Sequence, residues 1–223
     1  MNARKITVVG LLALVALFFY LGMNAYQSRV QTAQDVQVRA EQTRLVRMHS
    51  PVFGPQNAPV TIVEFFDPAC ETCRAFYPLV KNLLDRYPDD VRLVIRYAPF
   101  HQGSDQVVKL LEASRSQGQY QTVLEAVLAA QPTWADHGQP RIENAFQAAE
   151  QAGLDLDKAR QAMDKPGLQA LLQQDMDDLT ALQVTRTPTF FVNGRSLPSF
   201  GPDQLAALVA EEVAKVKNSA KKP

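Results

Sequence analysis

Apolar positions along the chain change their period several times, and each change marks an element. Ile6 to Met23, ITVVGLLALVALFFYLGM, is an unbroken run without a charge. At about 1.5 Å per helical residue it reaches roughly 27 Å, close to the thickness of a bilayer core. From Asn24 to Met48 the pattern fades into a stretch rich in Gln, Arg, Ala and Val without Pro or Gly. Val30, Ala33, Val36 and Ala40 make only a weak stripe, which predicts a helical or partly disordered stalk; a self-association helix is the alternative. His49 to Pro59 (HSPVFGPQNAP) then carries three prolines and a glycine and reads as a loop at a domain boundary.

Val60 to Phe66 (VTIVEFF) has the β-branched and aromatic texture of a buried strand, ended by Asp67-Pro68. From Cys73 onward Phe76, Leu79, Val80, Leu83, Leu84 and Tyr87 recur at helical spacing until Pro88. Val91 to Ala98 (VRLVIRYA) is a second strand, closed by Pro99. Residues 102–184 are helical in texture, with breaks at Gly118, at Pro132 to Pro140, at Gly153 and at Pro166-Gly167. Strand character returns at Thr189 to Val192. Asn193-Gly194 predicts a tight hairpin with Arg195 to Leu197 as the partner strand. Pro202 opens a last amphipathic helix on Leu205, Leu208, Val209, Val213 and Val216, and residues 218–223 read as a frayed tail. The order βαβ, helical block, hairpin and helix implies α/β layering around a mixed sheet, with the block as an insertion.

Charge changes this picture little. Lys plus Arg and Asp plus Glu number 23 each, which removes the global field expected of a nucleic-acid binder. Arg4 and Lys5 precede the first apolar run and favour export of the chain beyond it. The exit of the run, Gly22-Met23-Asn24-Ala25-Tyr26, lacks an Ala-x-Ala cleavage pattern, so a retained anchor is favoured over a cleaved signal peptide. Either arrangement delivers the domain to an oxidising space.

The two cysteines, Cys70 and Cys73, carry the candidate chemistry. A disulfide between them closes a very small loop and adds little stability, so reactivity is the better reason for the pair. They lie where a strand has ended and a helix begins. The free N–H groups and dipole of a helix N-terminus stabilise an anion, so Cys70 is expected to ionise readily, with Cys73 one turn further in as resolving thiol. A metal reading needs further ligands. His49, His101 and His137 have no spacing tied to the pair, and Arg74 stands where a haem-attachment motif needs His. Copper(I) held by the two thiolates is the alternative function, without a Met or His cluster to support it.

The stretch SPVFGPQNAPVTIVEFFDPACETCRAFYP, together with TPTFFVNGR, resembles the DsbA-like branch of the thioredoxin superfamily, in particular its membrane-tethered bacterial members. The resemblance implies a thioredoxin-like fold with an inserted helical domain and a thiol–disulfide oxidoreductase acting on exported proteins with cysteines. It also implies a membrane or envelope redox partner, and no cofactor or metal. It makes Pro78 the helix-kinking proline and Thr187-Pro188 the cis-proline site facing the cysteines. The backbone at Thr187 could then pair with an extended substrate, and its hydroxyl could reach the thiolate. It places Glu64, six residues before Cys70, as a buried acid assisting proton transfer at the inner cysteine; a partly exposed acid is the alternative. His101 matches a structural loop position, and Trp134 and Asp136 read as loop packing.

The dipeptide departs from the strongest oxidants of that branch, which carry His there. Here it is Glu71 and Thr72. A carboxylate beside Cys70 disfavours the thiolate and predicts a less oxidising disulfide, with Arg186 a partial offset. The expected organisation is a cytoplasmic N-terminus over 1–5, a transmembrane anchor over 6–23 and a juxtamembrane stalk over 24–50. A thioredoxin domain comes next, over 51–217, with its insertion over about 102–184. The chain is expected to cross the bacterial inner membrane once, with this domain on the periplasmic side. The sequence leaves oligomeric state and redox direction open.

Overall fold

The structure, a computed structural model, describes residues 19–23 and 42–220. The chain divides into two units, Met1–Thr43 and Arg44–Pro223. Of the first, residues 19–23 are helical with exposed side chains. The anchor read over 6–23 otherwise lies outside the described residues, as does the stalk from 24 to 41. Among the described residues no helix is long and apolar enough to cross a membrane.

The second unit runs β1 (Val52–Phe53), β2 (Val60–Phe66), α1 (Glu71–Arg86), β3 (Val91–Tyr97), α2 (Ser104–Arg115), α3 (Tyr120–Trp134), α4 (Ile142–Gln151), α5 (Leu156–Met163), α6 (Pro166–Ala181), β4 (Thr189–Val192), β5 (Arg195–Ser196) and α7 (Pro202–Ala220). The sheet order is β1-β3-β2-β4-β5. β2 and β3 pair in parallel across α1, β4 joins β2 antiparallel, and β5 returns from β4. Helices α2 to α6 are inserted between β3 and β4, as their position in the sequence implies. Asn193 and Gly194 both have positive φ, 48° and 81°, the requirement of the tight hairpin turn that their sequence predicts.

Period-two alternation sends the side chains of β2 to two separate cores. Val60, Ile62 and Phe66 join Cys73, Val80 and Leu83 of α1 with Leu205 and Val209 of α7. Val63 and Phe65 face the other way, with Val94, Leu179, Val184 and Leu45. Glu64 therefore shares the face that carries the cysteines. Burial on both faces explains why β2 and β3 read as near-continuous apolar runs.

Three local expectations change. The stalk read over 24–50 ends earlier, because the compact unit starts at Arg44. Leu45 is buried, Arg47 grips Asp178 through two bonds of 2.7 and 2.6 Å, and His49 meets Asp175 at 2.8 Å. These partners lie on α6, far away in sequence. Within the loop read over His49–Pro59, Val52 and Phe53 pair with Val94 and Leu93 as β1, a strand too short to show a period. Trp134 is not loop packing. It ends α3, fully buried, with its indole N–H donating to the Val127 carbonyl at 2.9 Å, and α3 continues through Pro132 to reach it.

Candidate active site

The turn between β2 and α1 is fixed from both sides by buried polar groups. Asp67, fully buried, accepts from the Ala69 amide (2.9 Å) and the Ser104 hydroxyl (2.5 Å) on one oxygen. Its other oxygen takes the Phe100 and His101 amides at 2.8 and 3.0 Å and lies 2.7 Å from His101 Nδ1. From the insertion, the Gln131 side-chain amide donates to the carbonyls of Pro68 (2.8 Å) and Cys70 (3.0 Å) and accepts from Arg74 Nε at 2.8 Å. Buried polar groups that are satisfied in this way hold one backbone geometry, because leaving any of them unpaired is costly.

Cys70 is the N-cap of α1, with φ −75° and ψ 118°, and its side chain makes no capping bond. Its thiol donates instead to the Thr187 carbonyl at 3.3 Å. Thr187-Pro188 is cis, as the family resemblance implied. Cys70 is 6% exposed and Cys73 0%, and both are free thiols. The Cys70 thiol is drawn down to about 5, first by the hydrogen bond from Cys73. Burial opposes this, while the Thr187 side chain and the backbone N–H groups of Cys73 and Thr72 add to it. Thr72 thus bears on the thiolate through its backbone. Cys73 is pushed strongly upward by burial, by its bond to Cys70 and by Glu64 nearby. The two sulfurs are electronically unequal.

Glu64 is 2% exposed, which settles its location in favour of the buried acid. Burial first, and the charge of Cys70 second, push it up to about 8, so it carries a proton at neutral pH. Glu71 sits differently from its expectation. It is not an uncompensated charge beside Cys70, for its carboxylate lies 2.8 Å from His137 Nε2. Its own backbone N–H and then His137 hold it below the usual carboxylate range. No sequence pattern marks this pairing, because His137 stands far from Glu71 along the chain. Asp67 and Gln131 are likewise unmarked: Asp67 reads as a strand terminator, and Gln131 lies 61 residues from the Cys70 carbonyl it bonds. Among the described residues no group of three or more His, Cys, Asp and Glu is arranged to hold a metal.

A parallel β2–α1–β3 start, a hairpin-closed sheet and a pair of unequal thiols at the first helix N-terminus define a known arrangement, and the thioredoxin family profile matches residues 47–211. The chain belongs to the thioredoxin family. Within it, the fold is that of the DsbA-like oxidoreductases. A thioredoxin-like oxidoreductase from Silicibacter pomeroyi superposes with a TM-score of 0.67 at 29% identity, over 78% of this chain and 97% of that one. BdbD from Bacillus subtilis shares the fold at 23% identity and TM-score 0.64, over 74% and 94% of the two chains. Wolbachia pipientis α-DsbA1 does so at 15% identity and TM-score 0.71, over 81% and 99%. In sequence the thioredoxin-family domain is also similar to part of the Na(+)/H(+) antiporter NhaA 3 of Salinispora tropica, 36% identical over 71% of this chain. The chain spans 24% of the length of that relative.

Proposed function

We propose that the chain is a thiol–disulfide oxidoreductase working through Cys70 and Cys73 on exported proteins. The observation that carries this reading is the Cys70 sulfur at the start of α1, favoured as a thiolate, beneath the Thr187 carbonyl and backed by a buried Cys73. In the oxidising direction a substrate thiolate attacks the Cys70 sulfur and the Cys70–Cys73 bond breaks, with Cys73 leaving as a thiolate. Glu64, protonated at neutral pH on the same face, supplies the proton that this buried leaving group requires. A second substrate thiolate attacks the substrate sulfur of the mixed disulfide. Cys70 leaves as a stable thiolate, and two electrons have passed to the enzyme. The backbone at Thr187, next to Pro188, is the edge on which an extended substrate segment pairs during attack.

A thiolate favoured at Cys70 stabilises the reduced enzyme and gives the disulfide oxidising character. Glu71, beside Cys70, acts against this and tempers it, with its carboxylate 2.8 Å from His137 Nε2. The apolar run at residues 6–23, preceded by Arg4 and Lys5, supports an inner-membrane anchor with this domain outside the cytoplasm. A membrane or envelope partner would then reoxidise the pair.

Replacing Cys73 with Ser tests the reading, because attack at Cys70 then ends in a mixed disulfide that cannot resolve. Recovery of several exported cysteine proteins disulfide-linked to Cys70 is the expected result. Recovery of none, with Cys70 present as a free thiol in the native envelope, would contradict it.

A further inference from the structure

The loop after α3 carries His137 onto the helix that starts at Cys70. Its Nε2 lies 2.8 Å from Oε1 of Glu71, the residue after Cys70. The other charged and titratable groups around it come from three places. His101, after β3, meets its ring edge-on with centroids 5.0 Å apart, and Asp67 stands behind His101 at 2.7 Å from Nδ1. Asp136, its neighbour in the loop, is occupied by the amides of Gly138 and Gln139. On α1, Arg74 lines with Glu71 and His137 a cavity of about 520 Å³, its Nε engaged by Gln131. Among the described residues, the close carboxylate left for the imidazole is Glu71.

Resting on the reading of Cys70 as the exchanging sulfur, we propose that His137 is a positioning residue for charge. Its imidazolium, carried by the inserted helical domain, offsets the Glu71 carboxylate beside Cys70 and makes the oxidising strength of the pair depend on pH. With His137 protonated, the ion pair leaves little net charge next to the thiolate, and the reduced form is favoured. When His137 loses its proton, the Glu71 charge stands alone, the thiolate is disfavoured and the disulfide oxidises less strongly. The hydrogen bond to Glu71 raises the His137 pKa, which moves this change to higher pH. Both side chains are more than half exposed, so solvent screening keeps the effect modest.

The test is the equilibrium constant of the full chain against a glutathione redox buffer, read at pH 6 and pH 9 for the native protein, His137→Ala and His137→Lys. At pH 6, His137→Ala should oxidise glutathione roughly two- to fivefold less favourably than the native protein, the size of an exposed charge pair. At pH 9 the two should converge. His137→Lys, charged throughout, should match the native protein at pH 6 and exceed it at pH 9. Coincident native and Ala curves would overturn the proposal, as would a deficit in Ala that persists unchanged at pH 9. Failure of the native chain to equilibrate with glutathione through Cys70 would instead overturn the oxidoreductase reading beneath it.

Discussion

The side-chain amide of Gln131, on the third helix of the unit, donates to the carbonyl of Cys70 at 3.0 Å, across a separation of 61 residues. A second bond to Pro68 and an accepted one from Arg74 complete the set. The inserted helices therefore hold the turn that aims the reactive sulfur.

Gln131→Leu keeps most of the volume but takes the side-chain donor from the Pro68 carbonyl and from the Cys70 carbonyl, the latter still accepting from the Arg74 amide. It should lower stability by about 1–3 kcal/mol, the cost of unsatisfied buried groups, in denaturant unfolding. Above that loss, alkylation of Cys70 at neutral pH should slow, because the turn that presents its sulfur is no longer tied. Native alkylation rates in a destabilised variant would show that Gln131 serves stability alone.

Glu64→Gln separates fold from chemistry. The Glu64 pKa is near 4.5 in a solvated chain and about 8 in the fold, so between these values the unfolded state has released a proton that the native state keeps. Stability attributable to Glu64 is therefore highest below pH 4.5 and falls as pH rises through 8. The Gln variant lacks this loss. Its melting temperature should exceed the native one increasingly toward pH 8, while disulfide exchange slows for want of a proton carrier. Equal melting curves at pH 5 and pH 8 would mean that Glu64 does not titrate as described.

Arg96 on β3 is 0% exposed and donates to Asp175 at 3.1 and 2.7 Å and to Asp178 at 2.8 Å, with the Arg44 carbonyl as a further acceptor. Arg47 and His49 share the same two aspartates. Truncation by Arg96→Ala removes the buried cation between the two carboxylates, leaving Asp178 to Arg47 and Asp175 to His49 and the Tyr97 amide, and should cost about 3–5 kcal/mol, measured by chemical denaturation. A loss below about 1 kcal/mol would indicate that the network is hydrated.

The elements that the sequence made legible are those whose signal is periodic or local. The run VTIVEFF is apolar because both faces of β2 are buried. The stripe through Phe76, Val80 and Leu83 marks the buried face of α1, and Asn193-Gly194 marks the hairpin. Cys70 and Cys73 were legible for the same reason, since their meaning lies in their spacing and in the strand–helix junction around them. What escaped notice depends on partners distant along the chain. Arg47 and His49 look like stalk residues until α6 supplies Asp178 and Asp175. Glu71 reads as a lone charge until a loop of the insertion supplies His137. No pattern of period two or 3.6 encodes such meetings.

The site works as described only if Cys70 is the ionised, attacking sulfur and Cys73 the buried, protonated one. The most direct measurement is alkylation of the reduced full chain by iodoacetamide as a function of pH, with the labelled cysteine located by mass spectrometry. Labelling is expected at Cys70, with a rate that titrates at a midpoint near 5, and no comparable reaction at Cys73. A midpoint in the ordinary thiol range, or equal labelling of both cysteines, would contradict it.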